Sequence, residues 1–178
     1  MTFEEKTISS KLVYEGPVFK VRQHMVEAYG GRQAQRDVVE HVGGAIMVAI
    51  TDEGKVLMEK QFRKPLEKDL LELPAGKADP GEDPELTASR ELAEETGYTA
   101  GSIKHLVSYY PTCGYSSELL HIYICRELKA GDTNWDPTEC IELHEYDADE
   151  IIEMIMRGEI RDSKTIIGLL FARQAGEI

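Results

Sequence analysis

The sequence predicts a mixed α/β fold (α+β in its layer arrangement), in which short strands alternate with three helices. Runs of Val, Ile, Leu and Tyr are separated by Gly, Pro and Asp turns, which is the pattern of strands. Three other segments carry residues that begin and end helices. The chain has 178 residues, a length typical of one domain that buries a core without disulfides.

The apolar run at residues 45–50 is the strongest strand signal, because an uninterrupted apolar run is typical of a strand buried on both faces. Turn residues 52–55 follow it, so we expect residues 56–58 to return as the second strand of a hairpin. The first few strands form an N-terminal antiparallel extension. The remaining predicted strands are 12–14, 19–21, 25–27, 107–110, 119–125 and 141–145.

The first predicted helix covers residues 84–96. Asp83 is a good N-cap residue, Pro84 suits the first helical position, and Gly97 suits the position just past the end. All three signals are local, so we expect both ends of this helix to lie where they indicate.

Two further helices are predicted in the C-terminal part of the chain. One covers about residues 149–157 and follows Asp147 as its N-cap. The other covers about residues 164–175, with Ser163 as the expected N-cap.

The composition excludes several classes of function. The formal net charge is −13, so phosphate backbones are repelled and no nucleic-acid partner is expected. The longest apolar run is too short to span a bilayer, and residues 1–6 lack the pattern of a secretory leader. Three cysteines without a CxxC spacing indicate reduced thiols. We therefore expect a cytoplasmic protein without a membrane partner.

Three glutamates share one face of the first helix. Glu91, Glu94 and Glu95 are spaced i, i+3 and i+4, and each like-charged pair costs roughly 0.2–0.5 kcal/mol. They also face the negative end of the helix dipole. A divalent cation bound by carboxylates removes both penalties, whereas the alternative is a solvated acidic face.

The surroundings of this helix decide between these alternatives. Gly76, Glu82 and the sequence RELAEETGY at residues 90–98 match the Nudix box in its fixed positions and spacing. The chain therefore resembles the Nudix hydrolases. The resemblance implies the Nudix fold, a mixed-sheet α/β/α sandwich, and metal-dependent hydrolysis of a nucleoside diphosphate linked to another group.

The resemblance also implies roles for the residues of the box. Glu91, Glu95 and the Ala75 carbonyl would be metal ligands, for Mg²⁺ or for Mn²⁺ as a substitute. Glu94 would assist as a ligand or as an acid/base group, and Arg90 would orient the glutamates. This agrees with elementary chemistry, because a metal neutralises the pyrophosphate and activates a water that a carboxylate deprotonates.

Residues 12–170 resemble the ADP-ribose pyrophosphatase branch, whose members hydrolyse nucleoside diphosphate sugars. The implied reaction converts ADP-ribose to AMP and ribose 5-phosphate. Cys113 stands where the branch has a proline, which leaves GDP-mannose or a UDP-sugar as alternative substrates. A non-catalytic ADP-ribose sensor is the alternative of another class. The stretches that carry the resemblance are 36–41, 59–63, 108–118 and 158–165.

The branch also implies residues that bind the substrate. Arg36 and Arg63 would contact phosphates or the terminal ribose, since the guanidinium fork suits phosphate. Phe19 would stack on the base, and Glu118 ends the loop at the sugar end. The alternatives are a surface ion pair for each arginine and a core position for Phe19.

Two further expectations follow from the branch. Glu139 would be a catalytic glutamate outside the box, with Glu142 or an ordinary loop acid as the alternatives. Residues 1–42 would form a region for dimerisation and substrate contacts, and residues 43–178 the hydrolase domain. The expected partner is a second copy of this chain that exchanges its N-terminal strands.

Overall fold

A computed structural model of the chain describes residues 3–134 and 140–178, which form ten strands and three α-helices. None of the helices in this described part is long and apolar enough to cross a bilayer. In chain order the strands are β1 (Lys6–Glu15), β2 (Lys20–Ala28), β3 (Arg32–Glu40), β4 (Gly44–Ala49), β5 (Val56–Arg63), β6 (Lys68–Glu72), β7 (Ala75–Lys77), β8 (Tyr98–Tyr109), β9 (Leu120–Ala130) and β10 (Ile141–Tyr146). The helices are α1 (Pro84–Thr96), α2 (Ala148–Met156) and α3 (Ser163–Gln174).

The chain divides into two units. The first consists of the described residues up to Gly43 with Tyr110–Leu119, and it contains the antiparallel sheet β1-β2-β3. The second consists of Gly44–Tyr109 and Leu120–Ile178, with sheets ordered β7-β4-β9-β8 and β10-β5-β6. The first unit thus includes a segment that the sequence analysis assigns to the 43–178 region.

Strand β4 is the centre of the second unit, and every residue of it is buried. It pairs antiparallel with β7 and parallel with β9, so its sheet is mixed. Successive side chains of a strand point to opposite faces. Ile46 and Val48 therefore pack with Ile151 of α2 and Leu169 of α3. The alternate residues of β4 pack against Ala88 and Leu92 of α1, which completes the predicted α/β/α sandwich.

Helix α1 begins and ends at the predicted residues. Asp83 Oδ1 accepts a hydrogen bond from the Glu85 amide at 2.9 Å, and Pro84 occupies the first turn. Gly97 adopts a φ of 73° and donates its N–H to the Ala93 carbonyl at 3.1 Å. That left-handed conformation favours glycine, so the chain leaves the helix at this position.

The predicted hairpin of β4 and β5 is wrong. The turn is present, since the Thr51 N–H donates to the Lys55 carbonyl at 2.8 Å. The two strands nevertheless join different sheets, and they meet at the bridge between Ile50 and Val56. Strand β5 pairs instead with β10 and β6, so the turn residues predict the reversal of the chain but not its pairing.

Other differences concern helix caps and short strands. The N-cap of α3 is Asp162 rather than Ser163, because the Asp162 carboxylate accepts the Thr165 N–H at 2.9 Å. Asp147 is the N-cap of α2 as predicted, without a capping side-chain bond in the described residues. Strand β3 lies in the N-terminal region predicted to form short strands, but without predicted bounds of its own. Strands β6 and β7 were not predicted, and β8 is longer than the predicted 107–110.

Candidate active site

Arg90 lies among three carboxylates of α1 and of the loop before it. Its Nε and Nη2 donate to the two carboxylate oxygens of Glu82 at 3.1 and 2.9 Å. Its Nη1 donates to Glu91 at 2.7 Å and to Glu94 at 3.1 Å. Nη2 also donates to the Lys77 carbonyl at 3.2 Å. One guanidinium therefore fixes three carboxylates relative to the strand and loop that precede the helix.

The loop before α1 stabilises the ionised form of Glu82. Besides Arg90, the Asp79 N–H donates to this carboxylate at 3.0 Å and the Thr87 hydroxyl at 2.8 Å. The Arg90 hydrogen bonds, followed by those from Asp79 and Thr87, lower the pKa of Glu82 from 4.5 to about 2. The hydrogen bonds to Glu82 also raise the pKa of Arg90, which stays charged.

The side chains of Glu91 and Glu95 both contact strand β7. Glu91 lies against Gly76 so closely that an ideal Cβ on residue 76 would be 1.8 Å from the Glu91 Cδ. Glu95 Oε2 accepts the Ala75 N–H at 3.0 Å, and the Glu95 residue is only 9% exposed. The carboxylates of α1 are thereby brought to the strand that carries the predicted carbonyl ligand.

Ala75 presents its backbone to the free edge of a sheet, because β7 is an edge strand. The Met47 N–H donates to the Pro74 carbonyl at 2.9 Å, so the Pro74 carbonyl faces β4. Backbone groups of successive residues point to opposite sides of a strand. The Ala75 N–H and carbonyl therefore both face away from β4, toward the side on which Glu95 lies.

The donors at this edge suit a hard divalent cation. Glu91, Glu94, Glu95 and the Ala75 carbonyl supply only oxygen atoms, which Mg²⁺ prefers. Within residues 3–134 and 140–178, no group of three His, Cys, Asp or Glu side chains is arranged so that it could hold a metal ion. Glu91 and Glu94 pair with Arg90 instead. The missing side chain at Gly76 nevertheless lets the Glu91 carboxylate reach β7, and the chemistry of these oxygen donors fits such a cation.

Arg63, a predicted substrate contact, ends β5 and pairs with a buried carboxylate. Its Nε and Nη2 each donate to Glu72 at 2.8 Å, and Lys164 also pairs with Glu72. Burial alone would raise the pKa of Glu72, but the hydrogen bonds and charges of Arg63 and Lys164 lower it below 4.5. These three side chains line a cavity of about 290 Å³.

Two other predicted substrate contacts lie in the first unit. Arg36, on β3, donates from Nε to the Glu5 carboxylate at 3.0 Å, which is the surface ion pair named as its alternative. Phe19 precedes β2 and lies beside Tyr14, with ring centroids 5.6 Å apart. Phe19 is 39% exposed, so it is not a core residue of this chain.

Glu118, another predicted residue, lies in the loop between β8 and β9. Glu118 lies 3.5 Å from Nδ1 of His41, and its N–H donates to the Ser116 hydroxyl at 3.1 Å. Glu139 lies outside the described residues. Its alternative, Glu142, lies on β10 with one oxygen 3.8 Å from Lys60.

Four residues near the site were not singled out from the sequence. Glu72 is the last residue of β6, shortly before β7, and Asp162, Lys164 and Thr165 lie at the start of α3. The stretch 158–165 carries part of the family resemblance, which implies no role for these residues. Glu72 is a buried carboxylate, and its partner Lys164 lies on a helix far along the chain. No local sequence pattern identifies such a pair.

Comparisons with known proteins agree with this geometry. The NUDIX domain family matches residues 40–167. A methanol dehydrogenase activator of Bacillus methanolicus is 40% identical, over 95% of this chain and 92% of its own length. An ADP-ribose pyrophosphatase of Bacillus subtilis is 37% identical, over 96% and 93%. A GDP-mannose pyrophosphatase of Yersinia enterocolitica is 34% identical, over 81% and 80%.

A solved structure described as an ADP compounds hydrolase shares the fold, with a TM-score of 0.85. It covers 96% of this chain and 93% of its own at 19% identity. The family match covers most of the chain, and the residues of the Nudix box lie together around Arg90. This chain belongs to the NUDIX domain family.

Proposed function

We propose that this protein hydrolyses the pyrophosphate bond of a nucleoside diphosphate sugar, with ADP-ribose as the preferred substrate and AMP and ribose 5-phosphate as the products. The observation that carries the proposal is the group of α1 carboxylates at β7: Arg90 holds Glu91 and Glu94, and Glu95 accepts the Ala75 N–H. The relatives named ADP-ribose pyrophosphatase, 37% and 36% identical, support this substrate.

The reaction adds one water across the P–O–P bridge. The water oxygen bonds to one phosphorus, the bridging bond to that phosphorus breaks, and two phosphate monoesters leave. A bound divalent cation neutralises the pyrophosphate charge and lowers the pKa of the attacking water. Glu91, Glu95 and the Ala75 carbonyl would hold that cation, with Mg²⁺ as the proposed ion and Mn²⁺ as its substitute.

The proton of the attacking water needs an acceptor. We assign this role to Glu94, the most exposed of the carboxylates that pair with Arg90, with 39% of its side chain accessible. Arg90 fixes the directions of Glu91 and Glu94, so it acts as a positioning residue. Glu139 is the second candidate for the base.

Four side chains are proposed to bind the substrate. Arg63 keeps 39% of its side chain exposed while it pairs with Glu72, so its guanidinium is accessible to a phosphate. The exposed ring of Phe19 suits stacking on a base. Arg36 would leave Glu5 to meet an anionic group, and Glu118 would accept a sugar hydroxyl.

A homodimer with exchanged N-terminal strands is proposed as the working form. All ten residues of β1 are exposed, including Ile8, Val13 and Tyr14, each of which is about half exposed. A second copy that covers these side chains removes apolar surface from water, which stabilises the dimer. Three free cysteines, two of them exposed, support a place in the reducing cytoplasm.

GDP-mannose is the second candidate substrate. Relatives at 34% and 32% identity are named GDP-mannose pyrophosphatases, and Cys113 stands in the loop proposed to meet the sugar. A cysteine in place of a proline loosens the backbone of that loop.

A panel of substrates tests the proposal. The full chain is incubated with Mg²⁺ in heavy-oxygen water and with ADP-ribose, GDP-mannose, UDP-glucose or an oxidised nucleoside triphosphate, and products are identified by mass spectrometry. We expect kcat/KM for ADP-ribose to exceed the others at least tenfold, with no turnover in EDTA. If GDP-mannose is turned over preferentially, it replaces ADP-ribose as the proposed substrate. Binding of ADP-ribose without turnover would favour a sensor.

A further inference from the structure

The free edge of residues 73–76 receives side chains from two helices. The Ala75 N–H donates to Glu95 of α1 at 3.0 Å. The Leu73 N–H donates to the Thr165 hydroxyl of α3 at 2.9 Å, and Thr165 is completely buried. Leu73 and Pro74 precede β7, but the Pro74 carbonyl already pairs with the Met47 N–H of β4. Backbone groups of extended residues two apart face the same side, so Thr165 and Glu95 lie along one edge, as does the Ala75 carbonyl.

The direction of the Thr165 hydroxyl is set by Asp162. The Thr165 hydroxyl donates to Asp162 Oδ2 at 2.7 Å, so its oxygen accepts from Leu73. The same Asp162 oxygen accepts the Thr165 N–H at 2.9 Å and the Lys164 ammonium at 3.0 Å. A chain of hydrogen bonds therefore runs from Asp162, the N-cap of α3, through the Thr165 hydroxyl to the Leu73 N–H just before β7.

Two more contacts tie the same backbone to α3. Glu72, the residue before Leu73, pairs with Lys164 and is 2% exposed. Gly168 packs so closely on Leu73 that an ideal Cβ there would lie 2.7 Å from the Leu73 Cδ1. Residues 72–73 are thus held by α3 through an ion pair, a hydrogen bond and close packing.

We infer that Thr165 is a positioning residue of the metal site: through its hydroxyl, oriented by Asp162, it fixes residues 73–75 so that the Ala75 carbonyl stays beside Glu95. The inference rests on the proposed metal site. Thr165 touches neither substrate nor metal. It acts through the Leu73 amide, two residues from the carbonyl.

The physical reason is the tolerance of a metal site. Binding groups must be held within about 0.5 Å of the productive geometry. An edge strand is hydrogen-bonded to a neighbouring strand on one side only, so the backbone groups on its other side need another hydrogen-bond partner. Thr165 supplies that support to a buried N–H, which would otherwise lose its hydrogen bond.

The test compares Thr165→Val, which keeps the shape and loses the hydroxyl, with Thr165→Ser, which keeps the hydroxyl. Ile151→Val, a buried change on α2 that removes no hydrogen bond, controls for general loss of stability in the same core cluster. Three quantities are measured on the full chain without substrate: the Tm, the Mn²⁺ dissociation constant, and the hydrogen exchange of the Leu73 and Ala75 amides in metal-free protein.

We expect Thr165→Val to weaken Mn²⁺ binding about tenfold, the range seen when outer hydrogen-bond partners of a metal ligand are removed. Exchange at both amides should accelerate more than in Ile151→Val, and Thr165→Ser should stay within about twofold of wild type. If Thr165→Val lowers the Tm but leaves the Mn²⁺ dissociation constant at the wild-type value, the inference is wrong. Equal losses for Thr165→Ser and Thr165→Val would also overturn it.

Two further results keep the inference testable. If Thr165→Val does not fold, Asp162→Asn, which weakens the acceptor of the hydroxyl, must weaken Mn²⁺ binding in the same direction. Wild-type protein that binds no Mn²⁺ would overturn the inference. Absence of turnover with every nucleotide sugar would instead reject the proposed substrate class, because these measurements contain no substrate.

Discussion

The carboxylate of Glu91 occupies the space that a side chain at Gly76 would need, with an ideal Cβ only 1.8 Å from the Glu91 Cδ. The requirement for glycine is steric, since Gly76 is not among the glycines with a positive φ. Gly76, the first residue of the Nudix box, and Glu91 on α1 are therefore in direct contact. This contact brings the carboxylate to the edge of β7.

Gly76→Ala tests this contact. The added methyl must push Glu91 away, so we expect Mn²⁺ to bind at least tenfold more weakly, and the overpacking to cost about 1–3 kcal/mol of unfolding free energy. Calorimetric titration and denaturant unfolding measure the two effects. Gly114→Ala, which meets nothing within 4 Å, should leave both unchanged. If Gly76→Ala binds Mn²⁺ with wild-type affinity, Glu91 is not a ligand of the metal.

Arg90→Ala should change the acid response of the protein. The pKa of Glu82 is about 2, below its ordinary 4.5, so ionised Glu82 stabilises the fold above pH 4.5. That stabilisation is lost as the pH falls from 4.5 to 2. Without Arg90 the pKa should rise toward 4.5, and carbon NMR titration of the carboxylate measures it. A pKa still near 2 would assign the shift to the Asp79 and Thr87 hydrogen bonds.

Arg63→Ala should destabilise the fold, because Glu72 is buried and loses two hydrogen bonds. We expect a loss of roughly 2 kcal/mol of unfolding free energy at pH 7, with Lys164 limiting the damage. The pKa of Glu72 should rise in this variant. Adding Glu72→Gln should recover part of the loss, since it removes a buried charge that keeps only the Lys164 partner. Further destabilisation by Glu72→Gln would contradict this account.

The proposed contact of Arg63 with substrate adds a kinetic effect to the same variant. If the guanidinium also binds a phosphate, Arg63→Ala raises KM about tenfold or more while kcat changes little. Steady-state kinetics, at a temperature where the variant is folded, measure this. Unchanged KM and kcat would mean that Arg63 pairs with Glu72 but does not bind the substrate.

The exposed apolar side chains of β1 predict a dimer in solution. Val13→Asp places a charge in the proposed interface, so sedimentation velocity should show wild type as a dimer and this variant shifted to monomer. Ser9→Asp adds the same charge at an exposed polar position of β1 and is the control. A wild-type monomer would remove the proposed strand exchange.

The sequence predicts those features that depend on neighbouring residues. The ends of α1 are correct, because Asp83 and Gly97 act within one turn of the helix. The hairpin of β4 and β5 is wrong, because the pairing of β5 with Ile141 depends on a strand about eighty positions away. Buried strands with two apolar faces carry no local sign of which neighbour they pair with.

The same limit applies to the site. The box residues were identified from their spacing, and they lie together around Arg90. The partners of Arg63 could not be predicted, because Glu72 depends on the register of β5 and β6, and Lys164 is 92 positions from Glu72. Asp162 and Ser163 are both good caps, so only the folded helix shows which one acts.

The most direct test of the central claim is Mg²⁺-dependent release of AMP from ADP-ribose by wild type and by Glu95→Gln. Glutamine keeps an oxygen to accept the Ala75 N–H but removes the charge, so the fold should survive with an unchanged or higher Tm in EDTA. We predict at least a thousandfold loss of kcat, about 4 kcal/mol of barrier. Glu85→Gln, the same change at the exposed first turn of α1, should retain activity. Turnover by Glu95→Gln at the wild-type rate would contradict the assignment of this carboxylate to the metal.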